Sequence, residues 1–168
     1  MIEKKRHSTT LSMTRLATGE PCLIRIDAYL THGTPTLYLI GVGDTFRTRV
    51  QSACRTVSRP WRTGTVTVNL TPALAPRHMP LCGLAVAAGI LAAQEAIPMD
   101  GLADTVIIGD VDEHGTIPPF DEAPDILVEH ARIHGVNRII LPAATLAHAT
   151  IPNGIEAIGV NHLADLRG

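Results

Sequence analysis

Residues 80–93, PLCGLAVAAGILAA, are apolar around nearly the whole helical wheel, with Leu81, Leu84, Val86, Ile90 and Leu91 pointing several ways. Ala85, Ala87, Ala88, Gly89, Ala92 and Ala93 fill the gaps with very small side chains. A surface helix shows a polar stripe, so this pattern predicts a central helix buried on several sides. It is too short to span a bilayer. Around it the period changes. In residues 22–30, CLIRIDAYL, Ile24, Ile26 and Ala28 alternate with Arg25, Asp27 and Tyr29, the pattern of a half-buried strand. A turn at Thr31-His32-Gly33-Thr34 leads to a second strand at 35–42, and the pair is expected to form a β-hairpin.

Helical spacing of Phe46, Val50, Cys54 and Val57 predicts a helix over 45–58 capped by Asp44 and ending before Pro60. Residues 64–70 alternate Val66 and Val68 with Thr65, Thr67 and Asn69 as a third strand. After Pro98 strands and helices alternate: strand 104–109, an acidic turn at 110–115, a short strand at 116–118, and helix 122–134 with Ile126, Leu127, His130 and Ile133 inward. Strand 137–141, helix 143–150, strand 155–160 and a turn at 163–166 complete the order. These elements predict a mixed α/β chain of the α+β class, one mixed sheet with packed helices, in a single domain over 21–168. Residues 1–20 open with charged and polar side chains and are expected to be a flexible segment.

Composition narrows the class. The chain has 168 residues, 45% of them hydrophobic but only 3% aromatic, so its core is aliphatic. Cys22, Cys54 and Cys82 are odd in number and form no zinc-binding pattern, which fits reduced, buried thiols in the cytoplasm. No apolar leader stands at the start, and no membrane association is expected. The net charge of −2 hides an asymmetry: no acid occurs from Thr45 to Gln94, where Arg47, Arg49, Arg55, Arg59, Arg62 and Arg77 lie, while twelve acids follow. The basic stretch is a candidate face for nucleic acid or a protein partner, or the mate of the chain's own acidic turn.

The run GVGDTF, Arg-bearing helix, TVTVNLTPA, GILAAQEAIP, GDVDEHGTI, RIILPAA and IEAIGVNHL resembles the magnesium-chelatase-like (ChlI-type) N-terminal domain of the ComM family. That domain is similar to the Lon proteolytic domain and the RadA C-terminal domain. The resemblance implies a ribosomal protein S5 domain 2-like, Lon-like fold. In the ComM family the domain precedes an AAA+ motor acting on DNA, and in the Lon family it is a Ser–Lys peptidase.

Neither chemistry is written in this chain. No GxxxxGK motif followed by Ser or Thr exists, and the only lysines are Lys4 and Lys5. The resemblance places the peptidase serine at Leu81 and its lysine within 120–128, FDEAPDILV, which has none. A one-residue slip offers Cys82 as a nucleophile, with His78 or His114 as its base. The resemblance also implies an Asp at the position of Gly83. His130 and His134 stand one helical turn apart without an obvious third ligand, and Asp110, Asp112 and Glu113 lack calcium-loop spacing, so neither a metal nor a cofactor is expected.

Three functional readings follow. The first is a free-standing, non-catalytic domain that serves as an interaction or assembly module, through self-association or an AAA+ or DNA-processing partner. The second is a DNA-binding accessory domain using Arg47, Arg49, Arg55, Arg59 and Arg62. The third is a Cys82 hydrolase.

Overall fold

The computed structural model describes residues 6–58, 64–75, 78–121 and 123–167. Its strands are β1 (Arg6–Arg15), β2 (Pro21–Thr31), β3 (Thr36–Leu39), β4 (Thr65–Thr71), β5 (Thr105–Ile107), β6 (Arg138–Pro142) and β7 (Glu156–Val160). They form one seven-stranded sheet in the order β3-β4-β2-β1-β5-β6-β7. Pairing is antiparallel for β4–β2 and β2–β1 and parallel elsewhere. The helices are α1 (Asp44–Arg55), α2 (Gly83–Ala93), α3 (Asp125–Ile133) and α4 (Ala143–Leu146). The mixed sheet with packed helices is the expected α+β class.

Alternation along the strands splits the core. Ile24, Ile26, Val66, Val68, Ile107 and Ile140 pack with α1 and α2 on one face. Met13, Val106, Ile108, Ile139 and Leu141 pack with Leu127, Val128 and Ala131 of α3 on the other. Every residue of α2 is buried, as its all-round apolar pattern predicts.

The expectation of a flexible segment at 1–20 is wrong where the structure describes it. β1 is the middle strand, paired with β2 from Arg6 opposite Leu30 to Arg15 opposite Pro21. Its inward residues are hydroxyls, so a search for buried apolar positions passes over them. Ser8 donates to the Gly89 carbonyl (2.6 Å), Thr10 to that of Ala85 (2.9 Å), Ser12 to those of Ile107 (2.6 Å) and Leu81 (3.3 Å), and Thr14 to that of His78 (3.2 Å). Arg6 continues the row, binding the carbonyls of Ala93 and Ala92. Two strand residues rise about 6.7 Å and four helical residues about 6 Å. One face of β1 therefore keeps step with one row of carbonyls along α2. Each carbonyl has a second lone pair beyond its helical bond, so the buried hydroxyls are satisfied without breaking the helix.

Four other expectations need correction. The hairpin partner of β2 is β1, while β4 lies between β2 and β3, and β3 runs parallel to β4. Both expected strands exist, but hydrophobic alternation carries no information about pairing order. Asp44 does not cap α1: Gly43 holds that position without a side-chain bond, and Asp44, in the first turn, pairs with Arg47 at 3.2 Å. On α3 the buried residues are Leu127, Val128 and Ala131, whereas Ile126 is 51% and Ile133 67% exposed. The wheel was rotated toward the bulkiest side chains, and the small Ala131 is what permits close approach. The expected strand at 116–118 is a single bridge between Thr116 and His162.

Removing a rung tests the hydroxyl row. Thr10→Val keeps the shape and should cost about 1 kcal/mol in urea-unfolding free energy. Gly89→Ala places a methyl at ordinary contact distance, 3.5 Å from Thr10 Oγ1, and should leave stability unchanged or raise it by up to about 1 kcal/mol.

Candidate functional site at the start of the central helix

A 3-10 turn over Pro80–Cys82 delivers the chain into α2. The helix has no side-chain cap. Its entry is tied instead to the end of β5: Leu84 N–H donates to the Gly109 carbonyl (3.0 Å) and Gly109 N–H donates to that of Leu81 (2.9 Å). One helix-start donor is thus consumed within the fold. Leu81 is partly buried and packs against the α3-side core, while its carbonyl receives Gly109 and Ser12.

Cys82 is fully buried. Burial pushes its thiol up to about 12, and the Ser12 hydroxyl only partly offsets this. At neutral pH it is a protonated, solvent-free thiol, the opposite of an activated nucleophile. His114 has a 79% exposed side chain beside Glu113, and His78 gives its carbonyl to Thr14.

The residue that sequence reading missed at this site is Asp110. A Cβ added to Gly83 would lie 2.5 Å from Asp110 Oδ1, so the aspartate's carboxylate fills the space over the first turn of α2. That oxygen accepts the Val111 N–H (2.8 Å) and Arg49 Nη2 (3.0 Å). Burial pushes the Asp110 carboxyl above its ordinary pKa, against the pull of Val111 N–H and Arg49. The resemblance implies an Asp at position 83. Here a carboxylate covers that place from a different segment, with a glycine making room. The only sequence signal is Gly83 at the start of an otherwise good helix.

Arg49 comes from α1 and lies over the Phe46 ring, 5.4 Å from its centroid. It lines two shallow grooves, of about 750 Å³ with Thr48, Ser52 and Glu113, and about 330 Å³ with Met79 and Pro80. The basic segment is therefore not one uniform face. Arg47 pairs with Asp44, Arg49 with Asp110, and Arg55 is exposed at the end of α1. Arg59 and Arg62 lie outside the described residues.

The remaining candidates are structural. His130 and His134 pack ring to ring at 4.4 Å, and His134 Nδ1 meets the His130 carbonyl. Asp112 accepts the N–H groups of His114 and Thr116, which closes the acidic turn. Among the described residues no group of three or more His, Cys, Asp or Glu could hold a metal ion. No helix of the described residues is long and apolar enough to cross a membrane.

Residues 26–145 match the family of subunit ChlI of Mg-chelatase. The chain is also 29% identical over 150 residues to uncharacterized proteins of Mycobacterium bovis and Mycobacterium tuberculosis, an alignment covering 86% of this chain and 29% of each relative. It thus spans less than a third of the length of the curated relatives it matches.

Two measurements probe this site. A thiol reagent on the native protein at pH 8 should modify the partly exposed Cys22, with Cys54 and Cys82 reacting only after denaturation. Fast native labelling of Cys82 would overturn the closed-site geometry. Gly83→Ala must displace Asp110 from Arg49. It should lose about 1–2 kcal/mol of unfolding free energy despite the better helix propensity of alanine.

Proposed function

The chain belongs to the family of subunit ChlI of Mg-chelatase, and we propose that it acts as a non-catalytic interaction module, assembling with further copies or with an AAA+ ATPase. The observation that carries this reading is the closure of the α2 entry. Leu81 occupies the position where the resemblance to Lon-like peptidases puts a serine, and it packs, partly buried, against the α3-side core. Cys82 beside it is buried and protonated. Asp110 covers Gly83 and is itself held by Arg49. A cysteine nucleophile needs a thiolate and an approach for substrate, and the burial of Cys82 works against both. Without a phosphate-binding motif in these residues, nucleotide-driven work falls to a partner.

The pairing of Arg47 and Arg49 with the chain's own carboxylates removes two members of the basic stretch from the DNA-binding reading. It favours a role for Arg49 in holding α1 to the α2 entry, while Arg47 pairs within its own helix.

Sedimentation velocity tests the module directly. The chain is run alone across micromolar concentrations and with purified P-loop AAA+ ATPases from the same cells. The expected result is reversible self-association, or a complex whose ATP turnover differs from that of the ATPase alone. A monomer at all concentrations that leaves every ATPase unchanged would overturn the reading, as would a hydrolytic activity abolished by Cys82→Ala.

A further inference from the structure

α3 buries one face and carries isoleucine on the opposite one. Leu127, Val128 and Ala131 pack against Met13, Val106 and Ile108. Ile126 and Ile133 are 51% and 67% exposed. With about 3.6 residues per turn they fall within ~20° of each other on the helical wheel, opposite the buried arc. Glu129 and His130 lie between them, three and four positions on from Ile126, so the four residues form one outward stripe. A groove of about 330 Å³ lies along it, bounded by Pro21 at the start of β2. A helix that served only the core would carry polar residues on this face. Two isoleucines seven positions apart instead give the spacing of a helix-pair seam.

The flanks of the stripe differ. Asp125, Glu129 and Arg132 line one side, and His130 and His134 the other. Arg132 Nε is bonded to Glu129 Oε2 at 2.9 Å. Asp125 is exposed and accepts the Thr150 N–H. The charged side therefore reads acid, acid, base along the helix. A second α3 laid on the stripe in the opposite direction, about a two-fold axis between residues 129 and 130, sets Ile126 of each copy against Ile133 of the other. The same axis brings Arg132 of each copy level with the gap between Asp125 and Glu129 of the other, about 3 Å along the helix from either. The Arg132–Glu129 pair stays formed, and each guanidinium gains a second acid. On the other side the two His130 rings come level, each already packed on its own His134. A parallel copy would set Arg132 on Arg132 and like helix ends together, whereas the antiparallel one opposes the two dipoles.

We infer that a second copy of this chain docks on α3, the two helices antiparallel, with Ile126 and Ile133 as the apolar seam and Asp125, Glu129 and Arg132 fixing the direction. A second copy is singled out because the stripe is complementary to itself under a two-fold axis, as an isologous interface must be. The inference rests on the self-association half of the assembly reading and gives it a surface. α3 has 9 residues, so the contact is small and the dimer is a weak, reversible one.

Sedimentation velocity of the full chain across micromolar concentrations reads the monomer–dimer equilibrium. Ile126→Ser and Ile133→Ser should each raise the dissociation constant by about tenfold or more. Both side chains are exposed, and thermal melts matching the parent establish that the fold is intact. Ile40→Ser removes a 57% exposed isoleucine just beyond β3, at the edge of the sheet, and should change nothing. Arg132→Glu and Glu129→Arg should each weaken self-association, and an equimolar mixture of the two should restore it. A mixture no tighter than either variant alone would overturn the antiparallel docking. A dimer that the α3 variants leave intact would overturn the inference while the assembly reading stands. So would a monomer that still alters the ATP turnover of an AAA+ ATPase. A monomer that alters none would remove the inference and the assembly reading together.

Discussion

The docking of β1 onto α2 sets the rest of the structure. A strand normally buries hydrocarbon against a helix. Here it buries Ser8, Thr10, Ser12 and Thr14, each bonded to a backbone carbonyl of α2 or its entry, or in the case of Ser12 also of β5. Such bonds require the strand to sit on the helix backbone rather than on its side chains. That suits the row that meets β1, where α2 carries Ala85, Gly89 and Ala93. At Gly89 an added methyl would reach ordinary contact with Thr10, Ser8 and Ala28. The near match between two strand residues and one helical turn lets the contact repeat instead of drifting out of step.

Two consequences follow. With β1 as the middle strand, β2 and β4 extend the sheet on one side and β5, β6 and β7 on the other. The strand that bears the hydroxyl row is thus the one at which pairing changes, antiparallel to β2 on one side and parallel to β5 on the other. The entry of α2 is then pinned from three directions, by Ser12 on Leu81, by Gly109 from β5, and by Asp110 over Gly83. A helix start that could bind an anion or present a nucleophile is instead occupied by the fold's own groups. Closure of the site and stability of the core come from the same contacts.

The same physics decides what could be read from the sequence. Elements that announce themselves by their hydrocarbon pattern, such as α2, β2, β4, β5 and β6, were legible. So was the burial of α2 on several sides. β1 was not, because its inward side chains are polar and only the partner's carbonyls make them core. Pairing order was not legible either, since β3 and β2 both read as strands whether or not they touch. At the site, Leu81 and the missing lysine were visible as residues, and so was the absence of a phosphate loop. The Arg49–Asp110–Gly83 cluster was hidden because its members come from three segments separated by 27 residues or more. The coarse charge asymmetry did foreshadow it, since Arg49 from the basic stretch meets Asp110 from the acidic turn.

At two places this chain inverts the usual distribution of polarity around an aliphatic core. Serine and threonine hydroxyls lie in the core, and both tyrosines lie outside. The first half of the inversion follows from folding, since the helix carbonyls satisfy the hydroxyls and the close fit excludes water. The second half does not. A tyrosine on the surface adds little to the core, and a core this short of aromatic residues would gain from burying one. His7 is ordered against Tyr29 by a carboxylate that also holds Arg25 and Thr9, so the exposed ring is backed by a network that fixes its place.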